Sequence, residues 1–133
     1  MKKIYSGGCH CGTVRFEADI DLSVGTFKCN CSICTMNRFW PAIVGPESFR
    51  LLSGESDLTE YRFNTKMNRH LFCSHCGVRA FGIGYSPDGG QVYGVNVMCL
   101  GNLDIDELMS APIAYVDGRN DKWDSVPAEI RHL

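Results

Sequence analysis

Apolar and polar residues alternate over short runs along most of this chain, and glycine-rich turns separate the runs. Thr13 to Ala18 alternates strictly, and that period of two predicts a strand with one buried face. Val24 to Lys28 predicts a second strand that runs straight into a cysteine cluster. Phe39 to Val44 is apolar, and Pro41 assigns it to a sheet edge or a bulge, because proline has no N–H for a ladder. Phe49 to Leu52 and Leu58 to Phe63 predict a strand pair around the turn Ser53-Gly54-Glu55-Ser56. Arg69 to Phe72 leads into a further cysteine pair and Val78 to Ile83 leads out of it. Ser86-Pro87-Asp88-Gly89-Gly90 is a strong turn signal, and Gln91 to Met98 after it alternates again as a central strand. Helix is scarce. Asp104 to Met109 is the best candidate, with Asp104 as N-cap and acids in the first turn. The expected fold class is mainly β, built of short antiparallel strands with little helix.

Composition narrows the picture. The 133 residues fit one domain, with a core from about residue 5 to 117 and a polar tail over 118–133 that carries Trp123. The tail reads equally as a lid, an arm on a partner subunit or a frayed end, and the sequence leaves the oligomeric state open, a homo-oligomer included. Hydrophobic content of 44% and charged content of 21% are ordinary for a globular protein. A net charge of -2 argues against a broad grip on nucleic acid. No apolar run approaches the roughly 20 residues of a membrane span. Ile4 to Gly8 after Lys2-Lys3 is no signal-peptide core. The expected setting is therefore cytoplasmic and reducing, where eight cysteines read as metal ligands rather than disulfides.

The cysteines fall into loops. Cys9-His10-Cys11-Gly12 and Cys73-Ser74-His75-Cys76-Gly77 each end in glycine, which takes up the positive φ of a tight turn around a thiolate at no steric cost. Together Cys9, Cys11, Cys73 and Cys76 make a closed four-sulfur site of the structural zinc type. His10 and His75 sit inside these knuckles as spacers.

Cys29-Asn30-Cys31-Ser32-Ile33-Cys34 packs three thiols into six residues. Three protein ligands and an open position are the pattern of a reactive zinc. Cys99 either closes this second site or faces the core as a small hydrophobe. A third reading makes Cys31 and Cys34 a redox C-x-x-C, which belongs at a helix N-terminus in a βαβ setting that the pattern here lacks. Zinc with three thiolates carries a net charge of -1, a weak Lewis acid. Such a centre suits uptake of a fourth thiolate better than water activation, which points to thiol and aldehyde chemistry.

Gly8-Cys9-His10-Cys11-Gly12-x-Val14-x-Phe16, Cys29-x-Cys31-Ser32-x-Cys34 and Phe72-Cys73-x-x-Cys76-Gly77 together resemble the glutathione-dependent formaldehyde-activating enzyme family, which includes centromere-protein-V-like domains. The resemblance runs from about Gly8 to Leu103. It implies a zinc-bound β-tent fold, a structural zinc on Cys9, Cys11, Cys73 and Cys76, and a catalytic zinc on Cys29, Cys31 and Cys34. It also implies a carbon–sulfur lyase that joins glutathione to formaldehyde as S-hydroxymethylglutathione, with zinc as cofactor and glutathione as co-substrate. Lys28 and Arg38, on either side of the loop, are then the candidate partners of glutathione's carboxylates. One departure is visible. Family members often follow the last loop cysteine with arginine and a small residue, whereas this chain has Thr35-Met36-Asn37-Arg38-Phe39-Trp40. Phe39 and Trp40 either line a pocket for a larger aldehyde or thiol, or face the core as strand residues. The alternative class is a zinc module without turnover, for protein interaction or for thiol and zinc sensing.

Overall fold

The computed structural model describes all 133 residues, Met1 to Leu133. It contains ten strands and two short helices: β1 (Lys3–Gly8), β2 (Arg15–Ile20), β3 (Thr26–Cys29), α1 (Ser32–Asn37), β4 (Pro41–Val44), β5 (Phe49–Ser53), β6 (Leu58–Tyr61), β7 (Arg69–Cys73), β8 (Phe81–Tyr85), β9 (Gln91–Asn96), α2 (Ile105–Ser110) and β10 (Ile113–Val116). The protein is mainly β, as the alternation predicts. No helix is long and apolar enough to cross a membrane.

The strands form a three-stranded sheet in the order β1-β2-β5, a five-stranded sheet in the order β4-β9-β8-β7-β6, and a two-stranded pair, β10-β3. The core lies between the first two sheets. Alternation in β2 turns Phe16, Ala18 and Ile20 inward, while β8 and β9 contribute Phe81, Ile83 and Val95 from the other side. Phe49 joins the two layers, its ring 5.4 Å from that of Phe16 and 4.4 Å from that of Tyr93. Pro41 opens β4, an edge strand that needs no second ladder.

Several expectations change. Phe49–Leu52 and Leu58–Phe63 do not pair with each other. β5 pairs with β2 and β6 pairs with β7, so the turn between them carries the chain from one sheet to the other. Burial of Phe49 against Phe16 draws β5 into the first sheet, and a bond from the Ser74 N–H to the Asp57 carbonyl (2.8 Å) anchors the start of β6 on the second. The strands are not all antiparallel, because β10 pairs with β3 in parallel register, Val116 opposite Cys29. β9 is an interior strand but ends at Asn96, whose side chain accepts from the Met98 N–H and turns Val97–Cys99 into a short 3₁₀ segment. Cys99 therefore lies in a turn and not in a strand. α2 forms where predicted, with Asp104 Oδ1 accepting from the N–H groups of Asp106 and Glu107.

Candidate metal and thiol site

Four sulfurs meet where the two large sheets converge. Cys9 follows β1, Cys73 ends β7, and the Sγ atoms of Cys9, Cys11, Cys73 and Cys76 all lie within 4.8 Å of one another. Cys9 to Cys11 is 3.6 Å and Cys11 to Cys73 is 3.7 Å. Zinc–sulfur bonds of about 2.3 Å at tetrahedral angles separate sulfurs by roughly 3.8 Å, so this donor set fits zinc. Gly12 and Gly77 close the knuckles with φ of 83° and 77°. The Val14 N–H donates to Cys9 Sγ (3.2 Å) and the His75 N–H to Cys73 Sγ (3.4 Å). N–H donors from Val78 and Cys11 pull the Cys76 thiol down to about 6. His75 points away from the sulfurs to Asp57 Oδ1 at 2.8 Å, and His10 is exposed outside the group.

The second group holds Cys29, Cys31 and Cys34, again within 4.8 Å of one another, and has no fourth side-chain donor. Cys29 ends β3, Cys31 is the N-cap of α1 and Cys34 stands in its first turn. This helix is not announced by the sequence, because its β-branched residues and missing first-turn acid give no helix signal. Cys31-x-x-Cys34 thus does sit at a helix N-terminus, although without a βαβ frame. Bonds from Cys29 and Cys34, with the N–H groups of Cys34 and Ile33, hold the Cys31 thiol down to about 2, while its bonds to Cys29 and Cys31, and then burial, push Cys34 up.

Cys99 does not close this site. Its side chain packs against the core beside the other cluster, where burial and the charges of Cys9 and Cys76 raise its thiol to about 11. Of the two roles weighed for it, the small hydrophobe is the one its position matches.

The triad opens on two hollows. One, of about 140 Å³, is lined by Cys29, Cys34, Lys28, Arg38, Trp40 and others, and the other, of about 650 Å³, runs over the five-stranded sheet past Arg79 and His70. Lys28 and Arg38 therefore do flank the triad. Neither faces it bare, because Lys28 Nζ donates to the main-chain oxygen of Leu133 (3.3 Å) and Arg38 Nη1 to that of His132. Lys28 also lies 4.2 Å over the Trp40 ring. Phe39 and Trp40 both line the smaller hollow and both pack inward. Phe39 is buried yet lines both hollows, and Trp40 packs on the core while its Nε1 donates to Thr26 Oγ1 (2.8 Å).

The family model for glutathione-dependent formaldehyde-activating enzymes matches residues 4–116. The chain belongs to this family. The crystal structure of a Rhodobacter sphaeroides protein is similar over 82% of this chain and 99% of its own, with 29% sequence identity and a TM-score of 0.69. The segment matched by the formaldehyde-activating family contains all eight cysteines together with Lys28 and Arg38. His132 and Leu133, whose oxygens cap those two cations, lie outside it.

Four further residues emerge from the structure. Asn30 and Asp117 tie the triad loop to the start of the tail, and Arg79 and His70 lie under the triad. Asn30 has a weak sequence signal, a buried-type amide between two ligand-type cysteines. Arg79 and His70 have none.

Proposed function

We propose that this protein joins the thiol of glutathione to a small aldehyde, formaldehyde or a larger relative, and cleaves the same carbon–sulfur bond in reverse. The carrying observation is the triad itself: three sulfurs in one turn, no fourth side-chain donor, and two hollows opening on them. In this reading Cys9, Cys11, Cys73 and Cys76 hold a structural zinc, and Cys29, Cys31 and Cys34 hold a second zinc with an open position. That second zinc, when bound, lowers the pKa of an incoming thiol.

The remaining work falls to the chain. Lys28 and Arg38 receive the carboxylates of the tripeptide as main-chain oxygens 132 and 133 leave. The buried Phe39 ring excludes water between the hollows. The aldehyde enters from the larger cleft, which holds far more than a one-carbon molecule. The sulfur then adds to the carbonyl carbon, the carbon–oxygen π pair moves to oxygen, and that oxygen takes a proton from solvent, which balances the one the thiol lost to solvent on binding. Holding both reactants at the triad makes the addition effectively unimolecular. Eight free cysteines suit a reducing, cytoplasmic setting.

The alternative, a metal module without turnover, is favoured by one observation: the protein's own oxygens already cap both cations. The test is formation of S-hydroxymethylglutathione from glutathione and formaldehyde, followed by NMR on zinc-loaded protein. Acceleration over the uncatalysed reaction is expected, with loss of about a hundredfold or more in a Cys31→Ser variant that stays folded. Turnover unchanged by Cys31→Ser overturns the mechanism and leaves the binding module.

A further inference from the structure

The face of the five-stranded sheet turned away from the core carries one row of paired residues across all its strands: Ile43, Gly94, Gly82, His70 and Tyr61. The two central glycines leave a trough. A Cβ at Gly82 would stand 2.9 Å from Arg79 Nη2, and one at Gly94 would stand 3.5 Å from the Phe39 ring. Into this trough fits a stacked pair, with the Arg79 guanidinium 3.8 Å from the Phe39 centroid. Glycine weakens a strand interior and marks a close approach. Here both glycines make room for one cation and its aromatic cover.

No carboxylate holds that cation. Arg79 takes part in none of the protein's ion pairs, and its Nε and Nη1 are buried without a hydrogen-bond partner. A buried guanidinium without a counter-charge is costly, and arginine cannot relieve the cost by losing its proton. The neighbouring His70 is no counter-charge either. Burial, with the charge of Arg79 beside it, keeps its ring neutral, and its Nδ1 is unpaired. Arg79 lines the larger hollow together with Cys31 and Cys34. Burial lowers its pKa, and the sulfurs of Cys34 and Cys31 are the groups that oppose that cost.

We infer that Arg79 is the fixed counter-charge of the Cys29–Cys31–Cys34 triad, a positioning residue that lets the site accept a fourth sulfur as thiolate. The inference rests on the thiol–aldehyde reading above and names what that reading lacks. Three thiolates on a divalent metal sum to -1, and a fourth brings the site to -2. Arg79 returns it to -1, while the proton of the incoming thiol passes to solvent. A neutral fourth ligand gains much less from the same charge. Arg79 therefore selects for the sulfur of the ligand rather than for its peptide body.

The experiment compares glutathione with S-methylglutathione, which keeps the carboxylates and cannot form a thiolate. Binding of each to zinc-loaded protein is measured by calorimetry in the native chain, Arg79→Gln and Arg79→Lys, with zinc counted in every sample. The native protein should prefer glutathione. Arg79→Gln should lose roughly tenfold or more of that preference, with S-methylglutathione binding unchanged, and Arg79→Lys should restore most of it. Loss of the triad zinc in Arg79→Gln but not in Arg79→Lys supports the same role. Equal weakening of both ligands, an undiminished preference in Arg79→Gln, or zinc loss in both variants overturns it. A native protein with no preference for the thiol overturns instead the reading on which the inference rests.

Discussion

Asn30 sits between two sulfurs of the triad, is buried, and uses both ends of its amide on one turn. Its Nδ2 donates to Asp117 Oδ1 (2.8 Å) and its Oδ1 accepts from the Arg119 N–H (2.9 Å). Asp117 in turn accepts from Asn120 Nδ2 at 3.0 and 3.1 Å. The turn after β10 thus grips the loop that presents Cys29 and Cys31. Asp117→Ala leaves the buried Asn30 donor unpaired, and a loss of about 1–3 kcal/mol in denaturant unfolding is expected. The amides of Asn120 and Asn30 hold the Asp117 carboxyl below its ordinary value of 3.8. A lowered carboxyl contributes stability that is complete above the ordinary value and disappears as pH falls through the lowered one. The native protein should therefore lose its advantage over Asp117→Ala below about pH 4. An advantage that grows on acidification would show that the neutral carboxyl does the binding.

Residues 127–133 form the element that most alters the picture of the triad. Pro127 is buried, Ile130 and Leu133 are half-buried, and the oxygens of 132 and 133 sit on Arg38 and Lys28. If Lys28 and Arg38 receive the ligand carboxylates as proposed, this segment competes for the same two cations. Deleting residues 128–133 should tighten glutathione binding several-fold, as read by calorimetry, and lower Tm only slightly, since few apolar groups are lost. Weaker binding after deletion would make the segment part of the ligand site instead. The packing of this tail was not legible in its polar sequence, because its anchors are non-local and its bonds come from main-chain oxygens that carry no residue signature. β10 and its parallel pairing with β3 escape for a similar reason, since no spacing of side chains announces which strand lies beside Ile113–Val116. β1 is hidden by Ser6-Gly7-Gly8, poor strand formers held in place by β2. By contrast β2 declares itself, since it buries one face and alternates accordingly. β9 was legible from the turn before it and its apolar content, although the structure buries both Gly94 and Val95. The cysteine spacing was legible as well, and the structure gathers seven of the eight sulfurs into a four and a three. Arg79 was not, because its meaning depends on Gly82 and Gly94 lying opposite each other in neighbouring strands.

In the whole molecule the four-sulfur cluster and the triad occupy different mechanical positions, and this separates the consequences of losing them. Cys9 extends β1 of the three-stranded sheet, and Cys73 ends β7 of the five-stranded sheet. A metal held there would clamp the two layers together at one end of their shared core. The triad closes a local turn between β3 and α1 and joins no two sheets. A closed four-cysteine zinc contributes binding free energy on the order of 10 kcal/mol, comparable with the entire stability of a domain this size. Cys76→Ser should therefore lower Tm by more than about 10 °C and expose the aromatic cluster around Phe49. Cys31→Ser should shift Tm by no more than a few degrees, because its loop is also held by Asn30. Titration with a strong chelator should release zinc in two steps, with the first leaving near-UV dichroism intact and the second abolishing it. A single step that removes both metals and the tertiary signal together would mean that the triad, too, supports the fold, and the division of labour between the clusters would fail.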